Sequence, residues 1–254
     1  MSSALYKYTA VAKALVFVVS WTAGLQSAVW AGPPFVTDDP EPVEFRHGEF
    51  YLASVYSHDK EGVSGTAPHF EANYGALHET QAHLIVPLAY NRSQEGSTQY
   101  GLGDIELGVK YRFLGETAAR PQVGTFPLVE FPAGDSGRGL GEHRMRAFIP
   151  LWLQKSWGPW TTYGGGGYWY NPGPGNENHW FAGWVLQRRF SGKFTLGAEL
   201  FHDARNTREG SDRTAFNAGA IVDFTERRHV LFSAGTDIHG ENLLSLYGAY
   251  QLTF

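Results

Sequence analysis

The residues able to do chemistry in this chain recur on alternate positions. Between Leu102 and Phe113, Asp104, Glu106, Lys110 and Arg112 share one parity. Ile105, Leu107, Val109, Tyr111 and Phe113 take the other. Glu71, Glu130, Arg146, Glu199 and Asp223 stand in similar settings, with apolar neighbours of opposite parity. Side chains two residues apart share a face of a strand, whereas a helix would scatter them. Collected on the inner side of a closed sheet, these nine charges would form a constriction that selects solutes. The competing arrangement is a salt-bridge network that fills and stiffens a narrow barrel. Glu130 and Arg146 lie symmetrically about a loop centred near 138, which suits pairing across a hairpin.

Other chemistries find little support. With no Cys there is no disulfide, thiolate zinc site or cysteine nucleophile. His58, His143, His202 and His239 fall in or beside polar connections, and no His-x-x-x-His pair occurs. No Gly-x-Ser-x-Gly elbow is present. Neither a metal nor a cofactor is expected, and the chain does not read as an enzyme. Gly134 to Gly141 lacks the Lys-Ser or Lys-Thr ending of a phosphate loop. It reads as a mobile loop with Arg138 free to contact lipopolysaccharide phosphates. Gly164 to Gly167 suits close backbone approach or strong curvature. Asp38 and Asp39 precede Pro40, which favours turn initiation over a cation site.

The element that would position the charges is a strand, and composition agrees. The chain has 254 residues, with 31 Gly, 17 Phe, 13 Tyr and 8 Trp, and only 18% are charged. Mean hydropathy is −0.29, and only one long apolar run occurs, which argues against a bundle of membrane helices. A formal charge of −5 argues against nucleic-acid binding. Alternation predicts twelve strands, near 47–58, 66–76, 80–91, 101–114, 121–132, 144–156, 160–171, 180–190, 193–203, 214–224, 229–238 and 244–254. Short turns alternate with longer loops at 59–65, 92–100, 133–143, 172–179, 204–213 and 239–243. That asymmetry marks an outer-membrane barrel: all-β, transmembrane, antiparallel and up-and-down, with both termini on the short-turn side. Charges facing a watery lumen escape the cost of burial in a dry soluble core. Tyr90, Tyr111, Phe113, Trp180, Tyr250 and Phe254 lie near strand ends, where interface girdles belong.

Residues 1–31 read as a cleaved signal peptide. Lys7 and Lys13 precede an apolar stretch from Ala14 to Leu25, and Val29 and Ala31 suit signal peptidase. Removing them takes the formal charge from −5 to −7. Residues 32–46 hold four Pro within ten positions and resist strand pairing. They form an extended periplasmic or lumenal segment ahead of a barrel at 47–254, and are positioned to plug or line the lumen.

Several stretches resemble a known bacterial family. They are Gly32-Pro-Pro-Phe-Val-Thr-Asp-Asp-Pro-Glu-Pro-Val43, His47-Gly-Glu-Phe-Tyr-Leu-Ala53, Gly101 to Phe113, Phe126 to Asp135, and Tyr250-Gln-Leu-Thr-Phe254. The family is the one named for the MetA-pathway of phenol degradation, a group of outer-membrane barrels. The resemblance covers essentially the whole mature chain. It implies passage of aromatic or other hydrophobic small molecules. The terminal Phe254 resembles the signal read by the barrel insertion machinery. The resulting expectation is a monomeric outer-membrane channel for small solutes, in contact with lipid and lipopolysaccharide. The rival is a structural or surface-interaction barrel with a closed lumen, in which residues 171–179 and 205–213 do the work.

Overall fold

The computed structural model describes residues 33–254; the signal-peptide reading lies outside the described residues. Strand segments in chain order are β1 (Gly48–Asp59), β2 (Gly62–Leu77), β3 (Thr80–Ser93), β4 (Gln99–Leu102), β5 (Ile105–Leu114), β6 (Gln122–Thr125) and β7 (Leu128–Phe131). They continue as β8 (Arg146–Trp157), β9 (Trp160–Tyr170), β10 (His179–Ser191), β11 (Phe194–Asp203), β12 (Arg213–Thr225), β13 (Arg228–His239) and β14 (Asn242–Thr253). Both β4 and β5 pair with β3, and both β6 and β7 pair with β5 and β8. Fourteen segments therefore build twelve staves. The sheet closes where β1 pairs with β14 on one side and β2 on the other. All neighbours in this wall are antiparallel, so no edge meets lipid.

Two expected strands are interrupted. The 101–114 stretch breaks at Gly103-Asp104, and 121–132 breaks at Phe126-Pro127. Pro127 has no N–H to give the ladder, although its carbonyl still accepts from Val109. Two expected loops also shrink. The connections at 59–65 and 239–243 are tight turns, with β2 beginning at Gly62 and β14 at Asn242. Longer outer connections remain before β4, before β8, before β10 and before β12.

The barrel is inside out relative to a soluble fold. Leu107, Val109 and Tyr111 are exposed, and so are Phe70, Tyr74, Leu196, Leu200 and Phe216. Interleaved with them, Glu71, Asn73, Lys110, Glu199 and Asn217 are buried. Of the girdle candidates, Tyr111, Phe113, Trp180, Tyr250 and Phe254 are exposed rings near strand ends. Tyr90 differs: it is half-buried across Gly65 and donates to the Val55 carbonyl at 3.1 Å. The Gly run behaves as a seat for rings. A Cβ on Gly164 would meet Trp184 at 2.6 Å, and one on Gly167 would meet Phe148 at 2.7 Å.

Candidate functional site

Residues 33–46 form a strap across the lumen. Proline at 33, 34, 40 and 42 keeps the strap out of the sheet, so side chains of the wall must satisfy its backbone. Glu199 accepts from Val36 N–H at 3.2 Å and from Thr37 N–H, and Asn217 Nδ2 donates to the same carboxylate at 2.6 Å. Ser233 Oγ donates to the Pro34 carbonyl at 2.6 Å. Gln81 Oε1 accepts from Val43 N–H at 2.9 Å. Lys110 Nζ donates to Asp38 Oδ1 at 2.8 Å and reaches Asp39 Oδ2 at 3.4 Å. Glu41 Oε2 accepts from Gln122 Nε2 at 3.1 Å and Gln154 Nε2 at 2.8 Å.

Inward glycines make room for the strap. A Cβ on Gly183 would stand 1.9 Å from Thr37 Oγ1, and one on Gly197 would stand 2.8 Å from the Phe35 ring. Thr37 and Asp39 are fully buried as a result. Asp39 Oδ1 also accepts from Glu41 N–H, which is the turn expected before Pro40. Burial pushes the Asp39 carboxyl well above the usual carboxylate range, against the pull of the Lys110 ammonium. At the short β2–β3 turn, the Arg112 guanidinium hydrogen-bonds Glu79 and lowers its carboxyl.

The lumen beside the strap has two unlike regions, which meet at Phe126 and Leu128. On the β1–β5 side a cavity of about 260 Å3 is lined by Glu49, Tyr51, Glu71, Asn73, His83 and Glu106 together with the strap. Tyr51 donates to Glu49 at 2.8 Å and Asn73 to Glu71 at 2.9 Å. His83 spans Asn73 Oδ1 at 2.6 Å and Glu106 Oε1 at 2.9 Å. Adjoining this cavity through Phe126, the residues Phe126, Phe148, Trp152, Phe181 and Phe201 form one buried aromatic cluster. Beside it lies a cleft of about 110 Å3, closed by Val36 and Asp38 of the strap. Two guanidiniums cover rings of this side: Arg146 stands 5.3 Å from Trp169, and Arg213 stands 5.0 Å from Phe201.

The nine predicted charges take different positions. Glu71 and Glu106 line the carboxylate cavity, while Lys110 and Glu199 hold the strap. Arg112 sits lower, between Glu79, Gln122 and Glu41. Glu130 and Arg146 are register partners and pair through Arg146 Nε at 2.9 Å. Asp223 meets His229 at 2.6 Å. Asp104 serves an outer loop: its carboxylate accepts from Gly134 N–H at 2.9 Å and Glu142 N–H at 2.6 Å.

That contact corrects the expectation of a mobile 134–141 loop with a free Arg138. The loop is folded back, with Leu140 buried, and Arg138 donates to Gln99 and to the Tyr100 carbonyl. A group of residues that sequence reasoning missed is a set of buried amides, Gln81, Gln122, Gln154, Gln187 and Gln251. Their one usable signal was inward parity on strands already recognised.

Hydroxyl and imidazole groups do meet. Ser136 Oγ lies 2.8 Å from His143 Nδ1 in the folded loop, and Thr66–His69 and His202–Thr214 make comparable contacts. Each supplies two members of a nucleophile arrangement, and among the described residues no carboxylate lies within ion-pairing distance of His69, His143 or His202. No group of three or more His, Asp or Glu among the described residues has the geometry to hold a metal ion.

The COG4313 outer membrane channel from Pseudomonas putida F1 superposes with a TM-score of 0.68 at 17% identity, covering 85% of this chain and 98% of that one. The KdgM porin, solved in complex with disordered oligogalacturonate, gives a TM-score of 0.58 at 8% identity, covering 81% and 99%. These likenesses establish the closed twelve-stranded fold. No curated protein matches the chain. The sequence model of a family described as "Putative MetA-pathway of phenol degradation" matches residues 62–254, and the chain belongs to that family.

Proposed function

We propose that this barrel is an outer-membrane channel for small solutes, hydrophobic or aromatic compounds among them, and that the strap is its internal barrier. The observation that carries this reading is the strap's attachment. Polar contacts from β3, β5, β6, β8, β11 and β13 hold it across the lumen. Neutral hydrogen bonds such as those of Gln81 and Ser233 are worth about 0.5–1.5 kcal/mol net, and those to a charged group about 1.5–3, so the segment is held by many separate contacts and is exchangeable with water piece by piece. Solutes would enter from the outer loops, meet the aromatic cluster, and pass when the strap yields.

The aromatic side favours flat apolar molecules through ring stacking. The carboxylate cavity supplies the charge that would bias ion flow. No catalytic role is assigned to any residue. We take the working form to be a monomer, exported by cleavage after Ala31 and inserted through its C-terminal strand. The closed-lumen rival draws support from the density of internal pairs, including Glu130–Arg146 and Asp223–His229. Planar-bilayer conductance separates the two. Deleting 33–42 from the refolded protein should raise conductance if the strap is the barrier. A conductance unaltered from that of the intact chain would reject it.

A further inference from the structure

The lipid-facing row of β10 carries one charge. Trp180, Trp184, Leu186 and Phe190 are exposed in that row, and Arg188 shares their parity and is also exposed. Its guanidinium lies 5.2 Å from the centre of the Trp160 ring and 4.9 Å from that of Phe190. Arg188 stands three residues from the end of β10 on the short-turn side, which is the periplasmic end of an outer-membrane barrel. A cation facing hydrocarbon is costly, and the cost falls toward zero only where it reaches the headgroups.

Neighbouring periplasmic turns add Lys193, Arg227 and Arg228, all exposed. The β10–β11 turn touches the end of β12 through Asp223 N–H and the Lys193 carbonyl, so these cations share one rim. Glu226 lies in the same rim. Among the described residues, none of the four cations has a carboxylate within ion-pairing distance. A planar guanidinium lying against two rings, with its N–H groups unclaimed by protein among the described residues, is a fitted receptor for a phosphate.

We propose that Arg188, framed by Trp160 and Phe190, binds the phosphate of an anionic phospholipid in the periplasmic leaflet, with Lys193, Arg227 and Arg228 as the flanking basic rim. The occupant is a glycerophospholipid of net negative charge. Charge complementarity selects it over a zwitterionic lipid, and the depth of Arg188 selects it over lipopolysaccharide. The site is independent of the lumen and of the channel reading.

Native mass spectrometry of the folded protein, incubated with equal phosphatidylglycerol and phosphatidylcholine, tests it. Wild type should retain phosphatidylglycerol in excess, and Arg188→Gln should lose roughly fivefold of that preference. Arg138→Gln, on the outer loop, should retain it in full. Equal retention of the two lipids by wild type overturns the proposal, and so does an undiminished preference in Arg188→Gln. Retention of added lipid A in place of phosphatidylglycerol overturns it as well. If the glutamine variant fails to fold, Arg188→Lys keeps the charge but not the planar fork. It should bind phosphatidylglycerol measurably less than wild type, and unchanged binding rejects the stacked site.

Discussion

Removing the carboxylate of Glu199 should release the strap. Glu199 is buried, and it accepts from two backbone donors of the strap, Val36 and Thr37. Hydrogen bonds to a charged group contribute about 1.5–3 kcal/mol each. Taking the lower figure for both, Glu199→Ala weakens seating by about 3 kcal/mol, or roughly a hundredfold in the ratio of seated to released strap. The third donor, Asn217, belongs to the barrel wall and does not enter that sum. Glu199→Gln keeps one acceptor oxygen and should fall between wild type and alanine. Single-channel recording in planar bilayers gives the open fraction directly, and heat-modifiable migration on gels verifies that each variant is folded. The reasoning fails if Glu199→Ala records like wild type while deletion of 33–42 raises conductance. The strap would then be a barrier held by something other than its best-bonded anchor.

Three further outcomes follow from the same geometry. Gly183→Val puts a side chain where Thr37 sits, so it should expel the strap and raise conductance while the barrel still folds; wild-type conductance in a folded variant counts against the seat. Glu106→Gln and Arg112→Gln should shift ion selectivity in bilayer reversal potentials, and unchanged conductance and selectivity in both would remove the selectivity role. The Arg112 contact lowers Glu79 below its ordinary value, so its stabilising contribution is complete above the unfolded value of about 4.3 and is lost as pH falls through the folded one. Acid titration of the folded protein by NMR should show the Glu79 side chain changing below that value, and a midpoint at or above it contradicts the pairing.

The wall was legible because lipid and water lie on opposite sides of every strand. Tyr111 and Lys110 are neighbours in sequence, yet one faces out exposed and the other is buried within. That contrast writes period two into the sequence. Interruptions were harder to read, because Gly103 and Pro127 act on pairing without disturbing the alternation around them. The strap's seat was illegible. Its key contact joins residues 163 apart, Val36 and Glu199, and local pattern carries no trace of such a pairing. Inward glycines such as Gly197 look like weak strand positions until Phe35 is placed against them. The glutamine set escaped notice because a neutral amide carries no charge, and inward parity alone does not say which groups it meets.

Liposome swelling tests the central claim most directly. Refolded protein and its 33–42 deletion would be compared on a panel of small solutes that includes aromatic acids. The account predicts flux through the intact chain, faster flux through the deletion, and rates that depend on solute size and aromatic character. No flux through either form, with both correctly folded, would show a sealed lumen and contradict the channel.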